Sequence, residues 1–296
     1  MVGPPGSGKS MLAQRLASIL PPLGARELLD VSMIASIAGE LAGGRLTDRR
    51  PFRAPHHSAS MAAMVGGGLK AKPGEVSLAH RGVLFLDEFP EFTPVVLDSL
   101  RQPLESGESV IARANHHVTY PADFQLVSAM NPCRCGMAGE PGHHCARGPR
   151  CVSDYQARIS GPLMDRIDIR VDVPAVTAMD LMRGGTAESS ATVAARVATA
   201  RARQTVRYEA KGLPGSTVNA RCSAALIETV AAPDAAGLKL LHDAAEKLKF
   251  SARGYHRILK VARTLADLEG ETTVRSTHLA EAISFRMAGE RLQAAA

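Results

Sequence analysis

The chain has 296 residues, 45% hydrophobic and 22% charged, the balance of a soluble globular protein long enough for two domains with cores of their own. No apolar run reaches the ~18 residues of a membrane span and no signal peptide is recognisable, which excludes a helical membrane anchor within this sequence and leaves the cytoplasm as the expected location. A net charge of +6, no tryptophan and 4% aromatic residues fit a polyanionic partner and a plain basic surface alike; if DNA is bound, backbone charge contacts should outweigh base stacking.

The chain opens on Gly3-Pro4-Pro5-Gly6-Ser7-Gly8-Lys9-Ser10, with Met11 following, a complete phosphate-binding loop. Its glycines let backbone N–H groups turn inward around phosphates, Lys9 can reach the outer two, and the Ser10 hydroxyl is placed to hold Mg²⁺. The motif predicts a nucleoside triphosphate, ATP, bound with Mg²⁺. A buried strand normally precedes it, and only Met1 and Val2 stand there, so the first strand is expected to be largely missing and the sequence to start too late.

Met11, Leu12, Leu16, Ile19 and Leu20 then follow helical spacing up to Pro21-Pro22, and a second helix is expected over about 27–42 with Val31, Ile34, Ala38 and Leu41 on one face. Residues 43–82 suit loops, a brief strand near Phe52 and an inserted element. Val83-Leu84-Phe85-Leu86 reads as a buried parallel strand, with a helix near 93–104 after it. Residues 109–120 alternate around Ala114-Asn115 as a hairpin does, and Phe124 to Ala129 is a further core strand. Beyond about Pro174, glycine and proline thin out and three or four amphipathic helices are expected, one carrying Ile258, Leu259, Val261, Ala262, Leu265 and Leu268, another Leu279, Ala282 and Ile283. Strands alternating with helices, then helices alone, imply an α/β nucleotide-binding domain with a parallel sheet over 1–174, a linker over 175–191 whose flexible part is 184–191, and an all-α domain over 192–296.

Asp87-Glu88 ends the apolar strand. Asp87 there would hold Mg²⁺ through water, and Glu88 could polarise the water that attacks the γ-phosphate. Together with the loop, this pair makes the chain resemble the AAA+ class of ring-forming ATPases. That resemblance implies that Asn131, after the strand 125–129, is the first sensor residue. It implies that Arg166 is the arginine finger lent to a neighbouring subunit, and that Arg253 is the second sensor on a helical lid, with Arg257 the second choice. Taken singly, each arginine reads as a surface ion pair. A finger supplied in trans would leave a monomer able to bind ATP and slow to hydrolyse it.

The sequences Phe52-Arg-Ala-Pro-His-His57, Lys72-Pro-Gly-Glu-Val-Ser-Leu-Ala-His-Arg-Gly-Val-Leu-Phe-Leu-Asp-Glu88, Ser128-Ala-Met-Asn-Pro-Cys133, Arg158-Ile-Ser-Gly-Pro-Leu-Met-Asp-Arg-Ile-Asp168 and Arg257-Ile-Leu-Lys-Val-Ala-Arg263 resemble the magnesium-chelatase-related ATPases of the ComM (YifB) family. The resemblance implies an insert in the second helix, here about 56–80, and a hairpin before the first sensor, here about 105–124, both lining a central channel. It also implies a homo-hexamer that drives branch migration of DNA, and a Lon-like N-terminal domain not contained in this sequence. Without its first strand the sheet would expose apolar surface and unpaired backbone, so the chain by itself is expected to be poorly stable.

Arg113, His116 and His117 near the hairpin tip are candidate DNA contacts, Arg113 first because its charge does not depend on pH; an exposed turn without a ligand is the plainer reading. His56 and His57 are read as shaping the insert. Cys133, Cys135, Cys145 and Cys151, with His143 and His144 among them, favour metal over disulfide in a cytoplasmic chain. Their spacing is not the paired Cys-x₂-Cys of most zinc sites, so free reduced thiols lead and structural Zn²⁺ follows. Cys222 stands alone and reads as a core residue. Two other functions compete with a DNA motor: a chelatase motor subunit driving Mg²⁺ into a porphyrin, and a nucleotide-dependent scaffold without useful turnover.

Overall fold

The computed structural model describes residues 1–287 except 42–43, 45, 47, 69, 114–115, 139–144, 146, 149, 178, 180–181, 183–187 and 215–216. The chain separates into one unit of Met1–Arg166 and Asp172–Thr186 and a second of Ile167–Val171 and Ala187–Arg291.

In the first unit, α1 (Lys9–Ile19) and α2 (Ala25–Ala38) precede β1 (Phe52–Arg53), and two short helices, α3 (Met61–Val65) and α4 (Glu75–Leu78), lead to β2 (Val83–Leu86). Helices α5 (Pro94–Ser99) and α6 (Arg101–Ser106) feed the strands β3 (Glu108–Arg113) and β4 (His116–Pro121); β5 (Gln125–Ser128), α7 (Arg150–Gln156) and α8 (Gly161–Met164) follow. The strands β1, β2 and β5 form a parallel sheet in that order, with Phe52 opposite Val83 and Leu84 opposite Leu126. Val2 continues the pairing, bridged in parallel to Met130 on one side and Asp172 on the other.

All four residues of β2 are buried, because successive side chains enter different cores. Leu84 and Leu86 pack with Phe89, Phe92, Val96, Leu97 and Leu100, whereas Phe85 packs with Ala13 of α1 and Ala129. Each such Leu or Phe contributes ~1.5–3 kcal/mol by leaving water, which is why a continuous apolar run marks the strand between two layers. The inward face of α1 differs from the expected one: Ala13 is buried, while Met11 and Leu12 are about half exposed. A small residue is needed where the helix comes close to the sheet. Helix α2 turns Ile34 inward and stops at Ala38, earlier than expected, because Gly39 takes a left-handed φ of 82°.

Strands β3 and β4 pair antiparallel from Glu108–Pro121 to Arg113–His116. This hairpin is tied to the end of α3 and the segment after it. Ser109 Oγ donates to the Val65 carbonyl at 2.6 Å, Tyr120 Oη donates to the Ala71 carbonyl at 3.0 Å, and Ala71 packs with Ile111 and Tyr120.

The second unit contains five helices among its described residues, more than the three or four expected: α9 (Ser190–Glu209), α10 (Ala224–Val230), α11 (Ala235–Leu248), α12 (Ala252–Glu269) and α13 (Ser276–Met287). The first four begin at Ser189, Ser223, Asp234 and Ser251, whose side chains accept from the amides of Thr192, Leu226, Gly237 and Gly254. Their apolar faces enclose Tyr208, Cys222, Ile227, Leu241, Ile258, Leu259, Ala262 and Leu279, so Cys222 is a core residue. Beside this core lies a buried polar network on Asp267. Its carboxylate accepts from Arg207, from Arg263 at 3.0 Å and from Asn219 Nδ2 at 2.9 Å, and Tyr208 Oη donates to Asn219 Oδ1 at 2.6 Å. Burial alone would raise the Asp267 pKa; Arg207, Asn219 and Arg263 outweigh it and hold the carboxyl below its ordinary value.

Candidate active site

The carboxyl ends of parallel strands are where the site is built. The loop is carried there because Gly3 N donates to the Met130 carbonyl at 3.2 Å and Val173 N donates to the Val2 carbonyl at 2.7 Å. Gly3 is pinned closely: a Cβ there would stand 2.0 Å from the Val173 carbonyl oxygen. Gly6 and Gly8 hold φ of 79° and 84°, and Gly8 is the residue from which α1 starts.

Lys9 is buried, with Nζ donating to the carbonyls of Gly3 at 2.8 Å and Pro4 at 2.7 Å and reaching Ser7 Oγ at 3.3 Å and Asn131 Oδ1 at 3.4 Å. Its pKa lies below the ordinary lysine value because burial disfavours the ammonium; the negative charge of Asp87 partly offsets this. Ser10 Oγ donates to Asp87 Oδ2 at 2.6 Å, and Asp87 Oδ1 accepts from the Glu88 amide at 2.9 Å. A hydroxyl and a carboxylate side by side are hard oxygen donors of the kind a magnesium ion takes, so the residues present fit that ion. A lysine, a glycine-rich turn and a helix N-terminus together suit a polyphosphate.

Glu88 has a left-handed φ of 50°, uncommon for a residue with a side chain and costing ~1–3 kcal/mol when imposed by its surroundings. Phe89 N donates to the Ala129 carbonyl at 2.9 Å, which locks the turn to the exit of β5. His57 Nδ1 lies 3.2 Å from Glu88 Oε2, so the histidine read only as shaping the insert faces the carboxylate. The register of the folded sheet, not a local sequence signal, brings the two together. Arg53 lies opposite Leu84, and His57 and Glu88 each follow by the same number of residues.

Lys9, Ser10, Asp87, Glu88 and Asn131 are therefore gathered at the carboxyl end of the sheet. Arg166, at the end of α8 in the same unit, is occupied elsewhere: it pairs with Glu105 at 2.8 Å and donates to the Pro162 carbonyl at 2.8 Å. Arg253 is exposed on the first turn of α12 in the second unit, and Arg257 of the same helix pairs with Asp168. His117 is exposed on β4, whereas the side chains of Arg113 and His116 lie outside the described residues, as do His143 and His144. Four thiols converge beyond Asn131: Cys133 and Cys135 stand 3.0 Å apart at sulfur, Cys135 and Cys145 3.3 Å, and Cys133, Cys145 and Cys151 within 4.8 Å of one another.

Residues 1–181 match the family described as magnesium chelatase, subunit ChlI, and residues 187–286 match its C-terminal family, magnesium chelatase, subunit ChlI C-terminal. Competence protein ComM of Haemophilus influenzae is 45% identical over 99% of this chain and 56% of its own length. The chain belongs to the ComM/YifB family. YifB of Salmonella typhimurium is 42% identical over 97% of this chain and 55% of its own length. The magnesium-chelatase 38 kDa subunit of Acidiphilium rubrum is a more distant relative, 26% identical over 94% of this chain. This ComM/YifB chain spans about half the length of the ComM and YifB relatives it matches, 56% and 55%. Among its described residues no helix is long and apolar enough to cross a membrane.

Proposed function

We propose that this chain is the motor part of a cytoplasmic, ring-forming AAA+ ATPase that remodels DNA. The observation carrying the ATPase reading is the convergence of Lys9, Ser10, Asp87, Glu88 and Asn131 at the carboxyl end of the sheet, with Lys9 Nζ 3.4 Å from Asn131 and Ser10 2.6 Å from Asp87. In this reading residues 3–11 cradle the ATP phosphates, and Lys9 leaves the loop carbonyls to neutralise the outer two. Ser10 and Asp87 hold Mg²⁺, which lowers the charge of the phosphates when bound. Glu88 accepts a proton from the water whose oxygen attacks the γ-phosphorus, and Asn131 orients that water or the γ-phosphate; ADP departs with the broken P–O bond pair. Residues 1–174 act as the nucleotide domain and 192–296 as a lid joined through 175–191, with Arg253 as its sensor. Arg166 acts in the site of the neighbouring copy, so a homo-hexamer is the working unit.

The DNA reading is supported by 45% identity to a competence protein and by the net charge of +6. The bridged elements about 56–80 and 105–124, tied together at Ser109 and Tyr120, are the parts assigned to the DNA channel, with Arg113, His116 and His117 at the hairpin tip. The family match to magnesium chelatase favours the competing reading, a motor for metal insertion into a porphyrin. Forked DNA separates the two: it should stimulate ATP hydrolysis by a DNA motor and leave a chelatase motor indifferent. For the shared site, inactive Glu88→Gln and Arg166→Ala chains are mixed and co-assembly is verified by mass. Recovered hydrolysis is expected; a co-assembled mixture that stays silent refutes the site between copies.

A further inference from the structure

Four cysteine sulfurs lie together in the segment that leaves the first-unit sheet after β5. Four ligands at the zinc–thiolate distance of ~2.3 Å around a tetrahedron stand ~3.8 Å from one another. The observed sulfur separations, 3.0 Å, 3.3 Å and a trio within 4.8 Å, bracket that value, and all four thiols are free. Arg134 and Arg150 adjoin ligands in the sequence and Arg147 stands two residues after Cys145, positive charge of the sign a four-thiolate zinc centre calls for. Among the described residues, Ala138 and Val152 are the apolar side chains that join the cysteines in their small cluster.

We propose that Cys133, Cys135, Cys145 and Cys151 bind one structural zinc ion. The ion closes the loop between β5 and α7 and fastens it beside the phosphate loop. The Gly136 amide donates to the Cys133 carbonyl at 3.0 Å in a tight turn, and a Cβ on Gly136 would stand 2.9 Å from Pro5 Cδ, so this turn lies directly on the loop. Cys133 follows Asn131 by two residues, and Asn131 reaches Lys9 at 3.4 Å; metal loss should therefore loosen the sensor and the loop together. That consequence rests on the ATPase reading, whereas the metal site does not.

The test uses the full chain purified under reducing conditions without chelator. Zinc is counted by plasma mass spectrometry, and the stripped protein is titrated with Co²⁺ alone. Near-stoichiometric zinc, and a cobalt spectrum of tetrahedral four-thiolate type, are expected. Cys135→Ser, at the exposed sulfur, should shift that spectrum to three thiolates and weaken the metal by more than the ~10–100-fold that loss of an outer-shell partner costs. Protein that arrives without metal, gains no cobalt band and has all four thiols open to alkylation overturns the proposal. So does a disulfide among them in the reduced preparation, or a cobalt spectrum that Cys135→Ser leaves unmoved.

Discussion

Replacing His57 by alanine should slow ATP turnover about fivefold while leaving nucleotide affinity unchanged. His57 Nδ1 and Glu88 Oε2 are 3.2 Å apart, with side chains 36% and 55% exposed, so their interaction belongs to the range of solvent-exposed pairs, at most ~1 kcal/mol. If that energy holds the carboxylate toward the attacking water, its loss appears in kcat, and ~1 kcal/mol corresponds to about a fivefold change in rate. Glu88→Gln, which removes the proton acceptor itself, should cost ~10²–10⁴-fold. Steady-state hydrolysis by the assembled protein gives kcat and KM separately for each single variant and for the double variant. Adding His57→Ala to Glu88→Gln should cost nothing more, because the histidine acts only through the carboxylate; His57→Gln, which keeps a donor, should recover part of the rate. An unchanged kcat in His57→Ala, or the same fivefold loss on top of Glu88→Gln, would refute the orienting role.

Gly3→Ala should destabilise the first unit and abolish nucleotide binding, since the added carbon meets a backbone oxygen at 2.0 Å, whereas Gly6→Ala meets no atom within 4 Å and costs only the left-handed strain of ~1–2 kcal/mol. Thermal melting with and without nucleotide checks this ordering, and equal melting of the two variants contradicts it. Asp267→Asn should destabilise the helical unit by ~3–5 kcal/mol in chemical denaturation, because Arg263 is left buried without its counter-charge. Because the folded-state pKa of Asp267 is depressed, its contribution is fully present above the unfolded value of ~3.9 and is lost as pH falls through the lower folded value. Acid unfolding of the unmodified chain should thus carry a loss of stability below that pH that Asp267→Asn lacks; parallel acid curves would count against the network.

The chemistry legible from residues alone is the chemistry written in contiguous stretches. Residues 3–10 spell a phosphate loop whatever surrounds them, and Val83–Leu86 followed by Asp87-Glu88 announces a buried strand ending in carboxylates, since a run apolar at every position must be covered on both faces. Serine or aspartate ahead of four of the five helices described in the second unit is likewise a local signal, realised as caps at Ser189, Ser223, Asp234 and Ser251. Tertiary structure decided which distant residues meet. Parallel register sets His57 against Glu88, the bridges around Val2 bring Lys9 to Asn131, and the chain path after β5 gathers four sulfurs whose spacing matches no familiar zinc pattern. It also decided which side of α1 faces the sheet, where close approach selects Ala13 over the larger Met11 and Leu12. Local geometry depends on a residue and its immediate neighbours, while a contact across the fold depends on how whole strands align, and the second is not written at either end of the contact.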